Sequence, residues 1–256
     1  MFHPKLFEGR NVAITGAGRG IGLEVARQFL DCGARVLVHT GRRRRDELPD
    51  FLLTAESERR AFLTSADFAT AAGTAAFAES AIGLFDRLDV LVNNAGTMVG
   101  RFAAGELTDE QYDGVVRLNQ SSVVEITRAL LPLLRAAGSA AVVNTVSISA
   151  LTGGSPGSAI YSASKAFVSA YSKGLARELA PDGIRVNCVS PGTIATDFHE
   201  RYSSKEKLEQ TRRSIPLQRL GTPEDCAPAY LFFAAPALSG YITGQVLEVN
   251  GGQLIC

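Results

Sequence analysis

The chain has 256 residues, of which 46% are hydrophobic and 20% charged, and its 26 basic and 26 acidic side chains give a formal net charge of zero. This length is sufficient for one large α/β domain with a sizeable core. The charge balance argues against nucleic acid or a membrane surface as a partner, and no apolar run reaches the roughly 18 residues that span a bilayer.

The cysteines and histidines predict neither a metal site nor a disulfide framework. The four cysteines are widely spaced with no histidine clustered nearby, and the three histidines also lie far apart. Scattered thiols of this kind fit a reducing compartment. The first residues lack the long apolar core of a signal peptide, so a soluble protein of the cytoplasm is expected.

Short apolar runs alternate with longer amphipathic stretches along the chain. The runs are predicted to be buried strands and cover residues 11–14, 34–39, 88–92, 140–145, 184–189 and 245–249, the last at an edge of the sheet. A helix is predicted over residues 21–30, where apolar side chains recur on one side. Near-continuous apolar strands that alternate with helices are typical of a parallel sheet covered on both faces. The sequence therefore predicts an α/β fold with a doubly wound, Rossmann-type sheet.

The organisation of the chain is that of one unit with one irregular segment. No Gly/Ser/Pro-rich linker or internal repeat divides it, so residues 1–256 are expected to form a single domain that also carries the functional site. Thr108 and Gln111 have the spacing of a capping box, and the helix that they open is expected to carry Asn119. The polar, charged segment 198–215 suits a mobile lid over a substrate better than a core element.

A glycine-rich loop lies between the first strand and the first helix. Its glycines are spaced Gly-x-x-x-Gly-x-Gly, rather than in the commoner Gly-x-Gly-x-x-Gly form. Such glycines let backbone amides approach a pyrophosphate, and the start of the helix adds partial positive charge. An ordinary tight turn would also fit the loop, but its place between strand and helix favours a dinucleotide-binding domain. The predicted contacts are Gly16, Gly18, Arg19, Gly20, Ile21 and Gly22.

The end of the second strand indicates which dinucleotide is bound. An NAD site usually has an acid there for the ribose hydroxyls, whereas a 2′-phosphate requires cations. Here the strand is followed by Arg42 and three further arginines, and no acid appears before Asp46. Because arginine binds phosphate well, NADP is favoured over NAD. Contacts are predicted at Arg19, Thr40, Gly41 and Arg42, and the remaining arginines could also be a solvated surface run.

Tyr161 and Lys165 are four residues apart in a segment that is expected to be helical. Positions i and i+4 lie one above the other on a helix, so the phenol and the ammonium could share one site. A nearby positive charge favours phenolate and lowers the pKa of a tyrosine from about 10. A tyrosine so tuned can exchange a proton with a carbonyl oxygen. The pair alone would equally fit a half-buried helix face.

The order of these motifs resembles that of the short-chain dehydrogenase/reductase family over nearly the whole chain. The matching features are the glycine loop, Asp67, Asn93-Asn94-Ala95-Gly96, Asn119, the serines that follow residue 144, Tyr161 with Lys165, and Pro191 to Thr196. The resemblance implies that Asp67 contacts the adenine. It implies that Asn93, Ala95 and Gly96 stabilise the central sheet and line the cofactor. The nicotinamide carboxamide would be held by Pro191, Gly192, Ile194 and Thr196.

The resemblance also implies hydride transfer between nicotinamide and a substrate carbon. Tyr161 would exchange a proton with the substrate oxygen, and Lys165 would lower the pKa of Tyr161 and bind the nicotinamide ribose. Asn119 would support a water-linked proton route to Lys165. Ser147 is expected to be the catalytic serine, although it lies one residue further from the tyrosine than is usual in the family and Ser149 lies one residue nearer. On a regular strand both serines would face the same side.

The favoured function is an NADP(H)-dependent reductase of ketones or dehydrogenase of secondary alcohols. The alternative is a catalytically silent nucleotide-binding regulatory protein, against which the intact set of four catalytic residues argues. A third function, that of an epimerase or dehydratase, is disfavoured because such relatives generally need extra C-terminal length for a substrate domain. The resemblance is closest to 3-oxoacyl-carrier-protein reductases, and Arg177 fits carrier docking, but the uncharged turn 136–140 leaves that role open. A small-molecule ketone or alcohol substrate and a homotetramer built from the helices around Asn119 and Tyr161 are expected.

Overall fold

The computed structural model describes residues 2–255, and a seven-stranded sheet forms its centre. The strands are β1 (Asn11–Ile14), β2 (Arg35–His39), β3 (Ala61–Thr64), β4 (Val90–Asn93), β5 (Ala140–Thr145), β6 (Ile184–Pro191) and β7 (Val246–Val249). They pair in parallel in the order β3-β2-β1-β4-β5-β6-β7. The predicted doubly wound α/β fold is confirmed, and β7 is an edge strand as expected.

The helices that connect the strands cover both faces of the sheet. They are α1 (Gly20–Asp31), α2 (Asp50–Ser57), α3 (Ala71–Leu84), α4 (Asp109–Val116), α5 (Ser122–Ala136), α6 (Ser149–Thr152), α7 (Ala159–Leu179), α8 (Asp197–Tyr202), α9 (Lys205–Ser214), α10 (Pro223–Ala234) and α11 (Pro236–Ser239). One core contains α1, α2 and α10, and the other contains α3, α5 and α7. Among the described residues, no helix has both the length and the apolar character needed to cross a bilayer.

The central strands are buried on both faces, which explains their near-continuous apolar sequences. Every residue of β1 and of β5 is buried. Val12 of β1 pairs with Val36 of β2 on one side and with Val90 of β4 on the other. Full burial of one such side chain stabilises the fold by about 1.5–3 kcal/mol. The polar residues in these strands are hydrogen-bonded, as at Asn144, whose amide nitrogen donates to Ser172 Oγ at 2.8 Å.

The strand order reverses at β1, which has β2 on one side and β4 on the other. In an open parallel sheet, a reversal of this kind leaves a crevice beyond the carboxyl ends of the strands. The glycine loop follows β1, and Asn94 to Gly96 follow β4, so both segments lie at the mouth of this crevice. The topology therefore fixes where the site must be.

Two local expectations are corrected in detail. The capping box at Thr108 and Gln111 is present and opens α4, and the chain stays helical from there into α5. Asn119 lies on this helix as expected, but in a π-helical turn, Arg117–Ser121, and π turns inside helices often occur at functional sites. The second correction concerns β5, which ends at Thr145 because the chain turns into α6 there. The serines that follow therefore do not stand on a regular strand.

The ends of the predicted domain, Met1 and Cys256, lie outside the described residues. The other cysteines, Cys32, Cys188 and Cys226, are buried free thiols. Within residues 2–255, no group of three or more His, Cys, Asp or Glu side chains is arranged to hold a metal ion.

Candidate active site

A cleft of about 920 Å³ opens at the carboxyl ends of the strands, where the strand order reverses. Segments that follow each of the seven strands, together with the helices α6 to α9, contribute to its walls. Most of the residues predicted for the site line it. They are Gly16, Gly18, Arg19, Gly20, Ile21, Thr40, Gly41, Arg42, Asp67, Ala95, Gly96, Ser147, Tyr161, Lys165, Pro191, Gly192, Ile194 and Thr196.

The glycine loop has the shape that close approach of a ligand requires. Gly16 and Gly20 have φ angles of +63° and +55°, in the region that favours glycine. A Cβ atom at Gly18 would lie 2.6 Å from the carbonyl oxygen of Thr40, so no side chain fits there. Gly22 does not line the cleft, and its contact with the cofactor stays a prediction. A Cβ atom at Gly22 would collide with the side chain of Asn94, so this glycine serves packing behind the loop.

Asn93 also lies away from the cleft. Its buried amide nitrogen donates to Thr127 Oγ1 at 3.0 Å and to Asn144 Oδ1 at 2.9 Å. These bonds tie β4 to α5 and β5, so Asn93 stabilises the sheet as expected, while its contact with the cofactor stays a prediction. The next residue, Asn94, lines the cleft instead, and its amide nitrogen donates to the carbonyl oxygen of Gly16 at 2.9 Å.

His39 is a site residue that the sequence did not reveal. Its Nδ1 accepts a hydrogen bond from the backbone N–H of Gly16 at 3.1 Å, and its Nε2 donates to the carbonyl oxygen of Ala66 at 2.9 Å. The ring is stacked on Phe68 with 3.9 Å between the centroids. Burial lowers the pKa of His39, which keeps the ring neutral and its Nδ1 able to accept. His39 therefore positions the glycine loop. The sequence gives no local signal for this role, because it depends on contacts with Gly16 and Ala66, which are far from His39 in the chain.

Three arginines line one end of the cleft, and each forms an ion pair with an acidic side chain. Arg42 binds the carboxylate of Asp67 at 2.5 Å. Arg19 and Arg43 both bind the Oδ2 of Asp197, at 3.1 and 3.2 Å. Partial burial opposes ionisation of Asp197, but the charge and hydrogen bond of Arg19 outweigh it, so the pKa of Asp197 is lowered. Asp197 thus links the arginine cluster to the start of α8.

The other two arginines of the run do not face the cleft. Arg44 pairs with Asp46, and Arg45 pairs with Glu56 at 2.5 Å. Neither lines the cleft, so the surface interpretation holds for these two, whereas Arg43 belongs to the site.

Tyr161 and Lys165 lie on α7 and face the same cleft, near Ser147. The Lys165 Nζ donates to the carbonyl oxygen of Thr145 at 2.9 Å and lies 5.8 Å from the centre of the Tyr161 ring. Burial lowers the pKa of Lys165 to about 8. Burial raises the pKa of Tyr161 to about 12, and the hydrogen bond with Ser147 acts in the opposite direction.

The direction of the Tyr161 shift corrects the expectation that Lys165 lowers the pKa of this tyrosine. The ammonium of Lys165 donates to a backbone oxygen, and loss of solvent around the phenol raises the pKa of Tyr161. At neutral pH the tyrosine is therefore protonated. A protonated phenol next to a serine hydroxyl is able to donate a proton to a ligand oxygen in the cleft.

Asn119 is fully buried behind this group. Its amide nitrogen donates to the carbonyl oxygens of Thr97 and Val115, both at 2.9 Å. Its Oδ1 has no hydrogen-bond partner among the described residues. A Cβ atom at Gly96 would lie 2.7 Å from that oxygen and 3.0 Å from the Lys165 Nζ, so the missing side chain keeps the space between them open. A buried acceptor without a partner marks a place for a hydrogen-bond donor such as water.

Ser147 and Ser149 both line the cleft but differ in their bonds. The Ser147 Oγ accepts from the backbone N–H of Ser149 at 3.2 Å and is hydrogen-bonded to Tyr161. Ser149 begins α6, and its buried Oγ has no partner among residues 2–255. The bond to Tyr161 favours Ser147 as the serine that acts with the tyrosine.

The predicted lid, residues 198–215, forms α8 and α9 at the edge of the cleft. The ring of Phe198 lies 5.8 Å from the ring of Tyr161, and the hydroxyl of Tyr202 is 3.0 Å from Thr97 Oγ1. The segment is therefore helical and in contact with the site, while its movement as a lid stays a prediction.

Similarity to known proteins identifies the family. A family model described as enoyl-(acyl carrier protein) reductase matches residues 16–253. The chain is 35% identical to an uncharacterised short-chain type dehydrogenase/reductase of Sinorhizobium fredii, over 98% of this chain and 99% of that protein. The chain belongs to the short-chain dehydrogenase/reductase family. It is also 33% identical to a 3-oxoacyl-[acyl-carrier-protein] reductase of Chlamydia trachomatis, over 97% of this chain and 98% of that protein.

Solved structures give the same result and differ in cofactor. An NADH-dependent reductase responsible for alginate metabolism is 37% identical with a TM-score of 0.86, over 98% of this chain and 99% of that chain. The NADP complex of RhlG from Pseudomonas aeruginosa is 32% identical with a TM-score of 0.87, over 99% of this chain and 100% of that chain. The protein is therefore an oxidoreductase of a family that uses a nicotinamide cofactor, and these relatives do not agree on which one.

Proposed function

We propose that this protein transfers a hydride between NADP(H) and a small ketone or secondary alcohol, with Tyr161 as the acid/base. The observation that carries the proposal is the placement of Ser147, Tyr161 and Lys165 on the wall of a cleft that also contains the glycine loop and an arginine cluster. One part of the cleft thus suits proton exchange with a carbonyl, and another suits a phosphorylated dinucleotide.

The residues present fit a nicotinamide dinucleotide. Gly16 and Gly18 let the loop pack tightly on Ala95 and Thr40, where any side chain would collide, and the backbone N–H groups at the start of α1 suit a pyrophosphate. Asp67 would hold the adenine, and the segment from Pro191 to Thr196 would hold the nicotinamide carboxamide, as in relatives that share these motifs. When bound, the cofactor supplies or accepts the hydride.

The chain's own charges support NADP. Arg19, Arg42 and Arg43 line the same end of the cleft, and guanidinium groups bind phosphate oxygens through paired hydrogen bonds. The acids at that end are already bound, Asp67 to Arg42 and Asp197 to the other two arginines. A 2′-phosphate would replace these carboxylates as the partner of the arginines.

Tyr161 donates the proton in the direction of ketone reduction. Its raised pKa keeps the phenol protonated at neutral pH, and the adjacent Ser147 hydroxyl would hold the ketone oxygen against it. Lys165 would bind the nicotinamide ribose with its charged head, which stays largely protonated below its pKa of about 8. A water bound at the free Oδ1 of Asn119 would lie next to Lys165 and return the proton.

The assembly is proposed to be a homotetramer built on α5 and α7. On α7, Phe167 is 41% exposed although it is a large apolar side chain, and its ring stacks on Tyr171 at 5.9 Å. Apolar rings on an outer helix face suit contact with a second copy. Light scattering should give about four times the chain mass of 27.2 kDa, and a value equal to one chain would contradict the tetramer.

The experiment that tests the function is NADPH oxidation by the purified protein with a panel of small ketones. Consumption of NADPH that depends on the ketone, with formation of the matching alcohol, is expected. Tight binding of NADPH without turnover of any ketone would instead favour a nucleotide-binding protein without catalytic activity.

A further inference from the structure

Two cations converge on one hydroxyl in the wall of the cleft. Arg101 follows β4 and donates from Nη1 to Ser155 Oγ at 3.0 Å. Lys207 is on α9 and donates from Nζ to the same oxygen at 3.2 Å. All three residues line the cleft that contains Tyr161. Two like charges held around one neutral oxygen repel each other, so this arrangement favours a negatively charged ligand.

No acid of the described chain neutralises these cations. Neither Arg101 nor Lys207 has a carboxylate within 4.0 Å among residues 2–255. The acids that line the cleft are Glu47, Asp67 and Asp197, and all three are bound at the end that contains the glycine loop.

The neighbouring side chains respond to this unbalanced charge. Burial, and then the charges of Arg101 and Lys207, lower the pKa of His199 to about 4, so the imidazole is neutral. Burial, and then the charge of Arg101, also lowers the pKa of Lys207. The part of the wall that contains Arg101, Lys207 and the neutral His199 is therefore a region of positive potential without an acidic partner.

The cation pair lies close to the reacting groups. The backbone N–H of Ser155 donates to Ser158 Oγ at 3.0 Å, and Ser158 immediately precedes α7. Tyr161 is three residues further along, about one helical turn or ~5 Å of rise. Ser155, Ser158 and Tyr161 all line the cleft, so an anion held at Ser155 and a carbonyl at Tyr161 would share one continuous space.

We propose that the ketone reduced at this site is a keto acid, whose carboxylate is held by Arg101 and Lys207 while its carbonyl faces Tyr161. The proposal rests on the proposed function and names its substrate class. In the reaction, the hydride goes to the carbonyl carbon, the proton of Tyr161 goes to its oxygen, and the carboxylate is unchanged. The cation pair orients the substrate and raises its affinity.

The test compares keto acids with their methyl esters in NADPH oxidation. Pyruvate, acetoacetate and levulinate place no, one and two methylenes between ketone and carboxylate, and each ester keeps the ketone but loses the charge. For the acid with the best-fitting spacing, kcat/KM should exceed that of its ester by about tenfold or more, chiefly through KM. Added salt should reduce this ratio, since it screens the cations.

Variants assign the effect to the two cations. Lys207→Met and Arg101→Gln should each lower the ratio of acid to ester at least about fivefold. Lys205→Met is the matched control, because Lys205 is an exposed lysine of the same helix that does not line the cleft, and its ratio should stay at the wild-type value.

The outcomes separate this inference from the proposed function. If esters, or uncharged 3-oxoacyl thioesters, are reduced as well as the acids, the keto-acid inference is wrong and the ketone reductase stands. If Lys207→Met lowers acid and ester turnover equally, the lysine only supports the fold and the inference is again wrong. If NADPH reduces none of the compounds, the proposed function and the inference both fail.

Discussion

Replacing Asp197 by asparagine is expected to tighten the binding of NADPH and to leave the binding of NADH nearly unchanged. In the chain alone, the Asp197 carboxylate accepts from Arg19 at 3.1 Å and from Arg43 at 3.2 Å. A 2′-phosphate must compete with that carboxylate for the same guanidinium groups. Asparagine has the same shape but no charge, so Asp197→Asn frees both arginines without opening a cavity.

The size of the effect follows from the exposure of the ion pairs. The side chains of Arg19 and Asp197 are 42% and 38% exposed, and that of Arg43 is 33% exposed. Each exposed ion pair contributes about 0.2–1 kcal/mol. Two such pairs amount to about 0.4–2 kcal/mol, so the Kd of NADPH should fall by about two- to thirtyfold. The Kd of NADH, which lacks the 2′-phosphate, should change by less than about twofold.

The assay is a fluorescence titration of both cofactors at low salt. Asp46→Asn is the matched control, since Asp46 pairs with Arg44 outside the cleft and its loss should alter neither Kd. Raising the ionic strength should shrink the effect of Asp197→Asn, because salt screens exposed charges. Weaker NADPH binding in Asp197→Asn, or an equal gain for NADH, would refute the competition between carboxylate and phosphate.

Three further predictions concern the serine, the phosphate site and pH. Ser147→Ala should lower kcat/KM for ketone reduction about a hundredfold or more, whereas Ser149→Ala should cost less than about threefold; the reverse order would assign the role to Ser149. Arg42→Ala should raise the Kd of NADPH about tenfold with little change for NADH, and Arg44→Ala should change neither; equal weakening of both cofactors by Arg42→Ala would exclude a phosphate contact. Because burial lowers the pKa of Lys165 to about 8, reduction should decline above that pH as the lysine loses its charge, and a flat rate profile between about pH 6 and 10 would contradict this role.

The fold could be predicted from the sequence because its strands are buried on both faces. Runs such as Asn11–Ile14 and Ala140–Thr145 are buried throughout and mostly apolar, and this pattern indicates both the strands and a parallel sheet covered on both faces. The edge strand β3 has only one fully buried residue, Ala61, and its bounds could not be read from the sequence. The π turn at Asn119 was also beyond prediction, since no residue spacing in that segment distinguishes it from a regular α-helical turn.

The candidate site could be predicted where a motif is local and could not where it depends on distant partners. The glycine loop and the Tyr161–Lys165 pair each lie within a few residues of sequence. Neighbouring residues on a strand face opposite ways, and only the structure shows that Asn94, rather than Asn93, lines the cleft. The pairing of Asp197 with Arg19 joins residues far apart in the chain, and no pattern in either segment announces it.

The pKa of Tyr161 shows the same limit. Spacing on a helix suggested that the lysine controls the tyrosine, but the balance between the charge and the loss of solvent depends on burial. Residue spacing contains no information on burial. It therefore predicted correctly that Tyr161 and Lys165 share a cleft, but not the direction in which the pKa of Tyr161 is shifted.

The most direct test of the central claim is NADPH binding and ketone turnover measured side by side on Tyr161→Phe. Phenylalanine keeps the ring in place and removes only the proton donor. In Tyr161→Phe, the Kd of NADPH is expected to stay within about threefold of wild type, while kcat should fall at least about a hundredfold. Turnover near the wild-type rate would show that another group supplies the proton, and loss of NADPH binding together with turnover would show that Tyr161 supports the structure rather than the chemistry.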